Sequence, residues 1–177
     1  MSGQQIDHER MLADLHLNLR PGRRQDGETL HVLISDILQS YGLPMEDLAN
    51  CDDLNDVAKW YGDRNGLFEV LEDRCGELLG CYGVFARSAT ICELRRLYLV
   101  SRIRNLGLGR VLLNTVLGWA RNRGFDSMEL LTAPALQGAV RLYERSGFVR
   151  VAEKATVSTS TCNLRFRLQL HDENISG

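Results

Sequence analysis

"RNLGLGR", Arg104–Arg110, sits where an alternating run, "TICELRRLYLV" (90–100), gives way to an amphipathic one, "GLGRVLLNTVLGWARNRG" (107–124). The first run has the two-residue period of a strand, and the second has the longer period of a helix. Two glycines one residue apart, with arginines on both sides, therefore stand at a strand-to-helix handover. A helix start leaves several N–H groups unpaired and carries a partial positive charge. Glycine lets a ligand come close to that backbone. The combination describes an anion site, most naturally one for phosphate. Seven arginines and no acid lie between Arg95 and Arg123, which adds long-range attraction of the same sign.

Two familiar phosphate loops do not fit. A Walker A loop needs Gly-Lys-Ser/Thr, and here Gly109 is followed by Arg110 and Val111. A dinucleotide fingerprint needs a third glycine where Leu112 stands, and it belongs near the first strand of its domain.

The flanks supply a consistent set of elements. "LHLNLR" (15–20) alternates as a strand and ends at Pro21-Gly22. "ETLHVLISDILQSYG" (28–42) is an amphipathic helix, with Asp26 as its cap and Gly42 as its stop. Residues 53–62 form a short second helix. Strands follow at 66–72 and 77–86, joined by the turn "DRCG", and then at 90–100. After the helix 107–124 come a strand at 127–133 and a helix from Pro134 to Ser146, stopped by Gly147. Strands at 148–153 and 161–170 close the chain. The order β α α β β β α β α β β predicts one mixed α/β sheet with helices on both faces.

The chain's 177 residues suit a single domain over 1–177, with 1–14 expected as a flexible N-terminal segment. A net charge of −2 gives no support to a nucleic-acid partner. The five cysteines form no CxxC pair and read as reduced, mostly buried thiols of a cytoplasmic protein. Four scattered histidines give no metal motif. No apolar stretch is long enough to span a membrane, and the N-terminus lacks the apolar segment of a secretion signal.

Arg104-x-x-Gly107-x-Gly109 after a long strand, with "CELRRLYLV" before it and "AVRLYERSGF" in the next helix, resembles the GNAT-type acyl-CoA N-acyltransferases. The element order also looks like that fold, so the resemblance spans nearly the whole chain. It implies a mostly antiparallel, mixed central sheet of about six or seven strands flanked by helices on both faces. It also implies acetyl-CoA as co-substrate, with its pyrophosphate on the N–H groups of residues 106–110. The cofactor contacts are then Leu97, Tyr98, Leu99, Arg104, Asn105, Leu106, Gly107, Leu108, Gly109 and Arg110. Two positions depart from the pattern. Asn105 stands where a glycine often follows the arginine, and Leu136 stands where many relatives carry asparagine.

Acetyl transfer to an amine needs three things. The amine, with a pKa of ~10.4, must lose a proton; an oxyanion needs a donor; the departing thiolate needs stabilising. Similarity to the family makes Glu93 the base, working through a water. It lies six residues before Leu99, and even spacing predicts that both face one side of the sheet. The competing reading of Glu93 is a strand-surface carboxylate paired with Arg95 or Arg96. Tyr143 shares a helix face with Leu136, Ala139 and Val140, and the resemblance makes it the donor to the thiol; otherwise it is a core aromatic. In the family it resembles, a bulge near this strand's end frees a backbone N–H, so the resemblance makes the Leu99 N–H the donor to the oxyanion. No cysteine has a neighbouring histidine, so direct attack in a ternary complex is expected, and alternation turns Cys92 to the face opposite Glu93.

The acceptor is the least legible part. Gly42–Asp56 holds five acids and no base, which favours a small cationic amine. The same acids could instead cap the short helix. The polar segment 153–161, "EKATVSTST", offers hydroxyls to an acceptor. Two alternatives stand beside this reading: a non-catalytic acyl-CoA-binding sensor or subunit, and a protein or peptide acetyltransferase. The last strands could also pair across a homodimer.

Overall fold

Seven strands form one sheet in the order β1-β2-β3-β4-β5-β7-β6. They are β1 Leu17–Pro21, β2 Leu67–Asp73, β3 Leu78–Ala86, β4 Ile91–Leu99, β5 Ser127–Thr132, β6 Val149–Arg150 and β7 Leu164–Gln169. Every neighbouring pair is antiparallel except β4–β5. The computed structural model describes residues 3–44, 51–151 and 163–171. The sheet is the mixed one that the element order predicts, and it is mostly antiparallel, as the resemblance implies.

Two clusters of apolar side chains glue helices to opposite faces of the sheet. On the back face, α5 (Leu108–Asn122) and α6 (Gln137–Arg145) pack on Val84, Cys92, Leu94, Met128, Leu130 and Phe166. On the front face, α2 (Gly27–Ser40), α3 (Asp52–Asn55) and α4 (Val57–Gly62) pack on Phe68, Val70, Cys81 and Phe85. In α2 the buried positions Leu30, Leu33, Ile34, Ile37 and Leu38 recur at helical spacing, so one stripe faces the sheet. Gly42 just beyond it takes φ +68°, a left-handed stop that glycine adopts without strain.

Three expectations change. Within the segment expected to be flexible, residues 3–14 form a helix: α1 spans Gly3–Asp14, and its Met11 and Leu12 pack on the cluster of Leu71, Leu79, Ile103 and Leu108. Its apolar positions are too few for periodicity to reveal it. The helix expected over 53–62 breaks at Asp56 (φ −153°, ψ 83°), whose side chain caps α4 by accepting from the Lys59 N–H at 3.1 Å. Asp26 does not cap α2 with its side chain. It accepts instead from the Arg23 N–H at 2.7 Å and from both terminal nitrogens of Arg20.

Candidate active site

The strands β4 and β5 pair only from Ile91–Ser127 to Leu94–Leu130. β4 then runs on to Leu99 and β5 to Thr132, so the sheet opens into a gap between them. A bulge lies in β4 at the start of this gap. Gly83 opposes Arg95 and Cys81 opposes Tyr98, so Tyr82 faces two residues, Arg96 and Leu97. Arg96 takes φ +58°, a left-handed conformation that costs an L-residue about 1–2 kcal/mol.

The bulge resets side-chain alternation. Glu93 and Arg95 face front, where the Arg95 guanidinium lies over the rings of Phe85 and Trp60. Beyond the bulge Tyr98 also packs on the front cluster, and Leu97 and Leu99 on the back one. The expectation that Glu93 and Leu99 share a face is therefore wrong. The extra residue flips the parity, and Glu93 shares its face with Tyr98. Cys92 does turn to the back, as alternation predicts.

The Leu99 backbone points into the gap. Val100 donates to the Leu79 carbonyl of β3 at 2.8 Å, so the N–H and C=O of Leu99 point the other way. The Nε of Arg104 donates to that Leu99 carbonyl at 2.7 Å, and its Nη1 donates to the Tyr41 hydroxyl at 2.8 Å. Arg104 thus ties the loop to the end of β4 and to the end of α2.

The glycine loop opens α5. Gly107, at φ +84°, is its N-cap, no side chain caps the helix, and no acid stands in the first turn. Asn105 takes φ +63°, a region that asparagine tolerates better than most residues. Asn105, Leu106, Gly107 and Arg110 are exposed, whereas the Leu108 side chain is buried in the core. At Gly109 a Cβ would meet Leu142 of α6 at 3.4 Å and Leu99 at 3.9 Å, both ordinary contact distances, so the start of α5 comes close to the end of β4.

Tyr143 is buried against Phe148 and Phe166 on the inner face of α6. Burial pushes its phenol well above the ordinary range, and neighbouring Tyr98 adds to the rise. It is therefore a hydrogen-bond donor at neutral pH. Leu136, the other departure from the pattern, is buried and presents no polar group.

Glu93 is buried and already paired, with Arg95 at 2.6 Å and Arg87 at 3.1 Å. Beside it in register stands Glu129, also buried, with Arg87, Arg165 and Arg167 as partners. The Glu93–Arg95 pair is the one the competing reading of Glu93 expects, whereas Glu129 and its arginines are additional. Their signals were a lone acid in the apolar strand "SMELLTA" and two arginines at even spacing in "TCNLRFRLQL".

Much of the acidic run is committed. Asp53 is 1% exposed, paired with Arg96 and accepting from the Tyr61 hydroxyl at 2.9 Å. Asp56 caps α4, Asp52 is exposed, and Glu46, Asp47 and the segment 153–161 lie outside the described residues. Among the described residues no three His, Cys, Asp or Glu side chains gather as metal ligands, and no helix is long and apolar enough to cross a membrane.

The sequence pattern of the acetyltransferase (GNAT) family matches residues 34–148. The chain is 33% identical over 125 residues to an uncharacterised N-acetyltransferase of Schizosaccharomyces pombe, covering 70% of this chain and 77% of that one. It is 29% identical over 132 residues to an uncharacterised N-acetyltransferase of Escherichia coli, covering 72% and 78%. Among solved structures, a GNAT-family acetyltransferase of Staphylococcus aureus superposes with a TM-score of 0.77 at 20% identity, covering 88% of this chain and 99% of that one. A second, from Salmonella typhimurium and solved with its cofactor acetyl-CoA, superposes with a TM-score of 0.68 at 19% identity, covering 91% and 97%.

Proposed function

This chain belongs to the GNAT acetyltransferase family and is an acyltransferase; within that family, we propose that it moves the acetyl group of acetyl-CoA to a small primary amine by direct attack in a ternary complex. The observation that carries the proposal is the pairing of two features at one gap in the sheet. An uncapped, acid-free helix start opens at Gly107, its Gly109 approaches Leu99, and Leu99 packs on the cluster that holds Tyr143, with Tyr98 close enough to Tyr143 to raise its phenol. The exposed loop fits an anion: its N–H groups and Arg110 would take the pyrophosphate of the co-substrate.

The residues then divide the work. The amine nitrogen attacks the acetyl carbon, and the Leu99 N–H donates to the oxygen as charge builds there. The carbon–sulfur bond breaks with its electron pair going to sulfur, and the Tyr143 hydroxyl donates to that sulfur. Because burial raises the phenol further above a thiol's pKa of ~8.5, a hydrogen bond to the thiolate is favoured over full proton transfer. Glu93 takes the amine proton through a water. Its two arginine contacts leave room, since a carboxylate offers about four acceptor sites. Direct attack is supported by the thiols near the site. Burial pushes Cys81 and Cys92 up to about 12, so neither is a ready nucleophile. Exposed Asp52 has the sign that favours an approaching ammonium group.

The test is CoA release from acetyl-CoA over a panel of small primary amines, with the mass gain of one acetyl group on the amine. Glu93→Gln should slow turnover most at neutral pH, and the deficit should shrink as pH rises toward the amine's pKa of ~10.4. Acetyl-CoA binding without CoA release on any amine would refute the proposal.

A further inference from the structure

We propose that the front face of β4, β5 and β7, beside the gap, binds a carboxylate carried by the acceptor, so that the substrates are amino-acid-like, zwitterionic amines; this rests on the transferase reading above. Glu93, Glu129 and Arg167 stand in one cross-strand row. Both glutamates are buried, at 4% and 5% exposure. Four guanidinium groups surround them: Arg87 reaches both, Arg95 reaches Glu93, and Arg165 and Arg167 reach Glu129. Four positive charges against two negative ones leave a formal surplus of two. Neutralising the glutamates does not require that surplus, whereas a bound anion would use it.

The surplus sits at the mouth of the gap and is open to a ligand. Arg95 is the residue after Leu94, and Arg165 opposes Leu131, the residue after Leu130; pairing between β4 and β5 stops at Leu94–Leu130. Across two strand spacings the two arginines therefore flank the opening at roughly 10 Å. The side chains of all four arginines are 33–43% exposed. The Nε of Arg165 is buried without a hydrogen-bond partner among the described residues. Such a donor is unfavourable to leave unmade, and a swing of this one-third-exposed side chain would carry it to a ligand oxygen. A guanidinium presents its donors as a planar fork that matches a carboxylate. Beside it, Leu131 and Val149 are 41% and 64% exposed, an apolar surface for the body of the acceptor. The acidic ligand group would lie on this side and its ammonium group toward the gap, where the nitrogen must attack.

The experiment uses the full chain and matched sets of α-amino acids, their carboxamides and their decarboxylated amines, with aliphatic, aromatic and polar side chains. CoA release gives kcat/KM for each. In parallel, the N-acetyl amino acids and their amides are titrated by calorimetry in the presence of CoA. The expected result is a preference for the acid over its amide of about ten- to hundredfold in both assays, the scale of one charge-assisted bidentate contact. Arg165→Gln and Arg95→Gln should each shrink that acid-to-amide ratio about tenfold, and Arg165→Lys should restore part of it by keeping the charge. Acids no better than amides in both assays, or a ratio that Arg165→Gln leaves intact in a folded protein, overturns the inference. CoA release on no amine at all would sink the transferase reading instead, and the titration would then decide the carboxylate site alone.

Discussion

Arg96 and Asp53 are joined by two hydrogen bonds, Nε to Oδ2 at 3.0 Å and Nη2 to Oδ1 at 2.8 Å, across 43 residues of sequence. The pair ties α3 to the bulge of β4. Arg96 also donates to the sulfur of Cys51 at 3.4 Å, and its carbonyl accepts from the Cys81 thiol at 3.2 Å. A left-handed arginine is thus held in place by contacts on every side, and it is this residue that turns Tyr98 to the face of Glu93.

The first prediction concerns that pair. Asp53→Asn strands a buried guanidinium charge and should lower the unfolding free energy by about 3–5 kcal/mol. Arg96→Gly removes the charge and relieves about 1–2 kcal/mol of backbone strain. The double variant should therefore be more stable than Asp53→Asn alone in urea titrations. A double variant that is less stable than either single one contradicts this account.

Tyr143→Phe should keep the fold, because the ring still fills its place beside Phe148 and Phe166 and volume-conserving swaps cost under about 1.5 kcal/mol. It should lower kcat about a hundredfold while leaving the acetyl-CoA Kd nearly unchanged, since the hydroxyl acts as charge develops on sulfur. Single-turnover kinetics and equilibrium binding separate the two. Parental kcat in the Phe variant would make Tyr143 a core residue only.

Alkaline pH should destabilise the protein in a defined window. Burial raises the phenols of Tyr61, Tyr82 and Tyr143 above their ordinary range, with the charges of Asp53 and Glu69 adding at the first two. A raised folded pKa means that stability is fully present below the unfolded value of ~10 and is lost as pH climbs above it. Unfolding free energy measured from pH 8 upward should fall beyond about pH 10, and Tyr143→Phe should flatten part of the slope.

The two loop glycines should part company. Gly107→Ala forces an L-residue to φ +84° and should cost about 1–2 kcal/mol together with acetyl-CoA affinity. Gly109→Ala adds a methyl at ordinary contact distance from Leu142 and should be nearly neutral for stability. Melting temperatures and cofactor titrations of both variants check this, and equal losses would contradict it.

Local chemistry was readable in the chain. The alternating strand, the left-handed glycine of the loop and the amphipathic stripes of α2, α5 and α6 depend on neighbours a few residues away, so periodicity and spacing expose them. The strand-to-helix turn at Arg104–Arg110 and the strands of the sheet were legible for that reason. Side-chain direction past Arg95 was not. A bulge exists only relative to the opposing strand, and the parity of Leu97, Tyr98 and Leu99 follows from Tyr82 facing two residues of β4. The acids behaved the same way. Sequence counts charge, but burial and partner choice decide whether Asp53 attracts a substrate or neutralises Arg96, and whether Glu93 stands alone or shares four arginines with Glu129. Those partners come from strands and helices distant in the chain. Only the fold brings them together, because Coulomb attraction and desolvation depend on distance and burial rather than on sequence order.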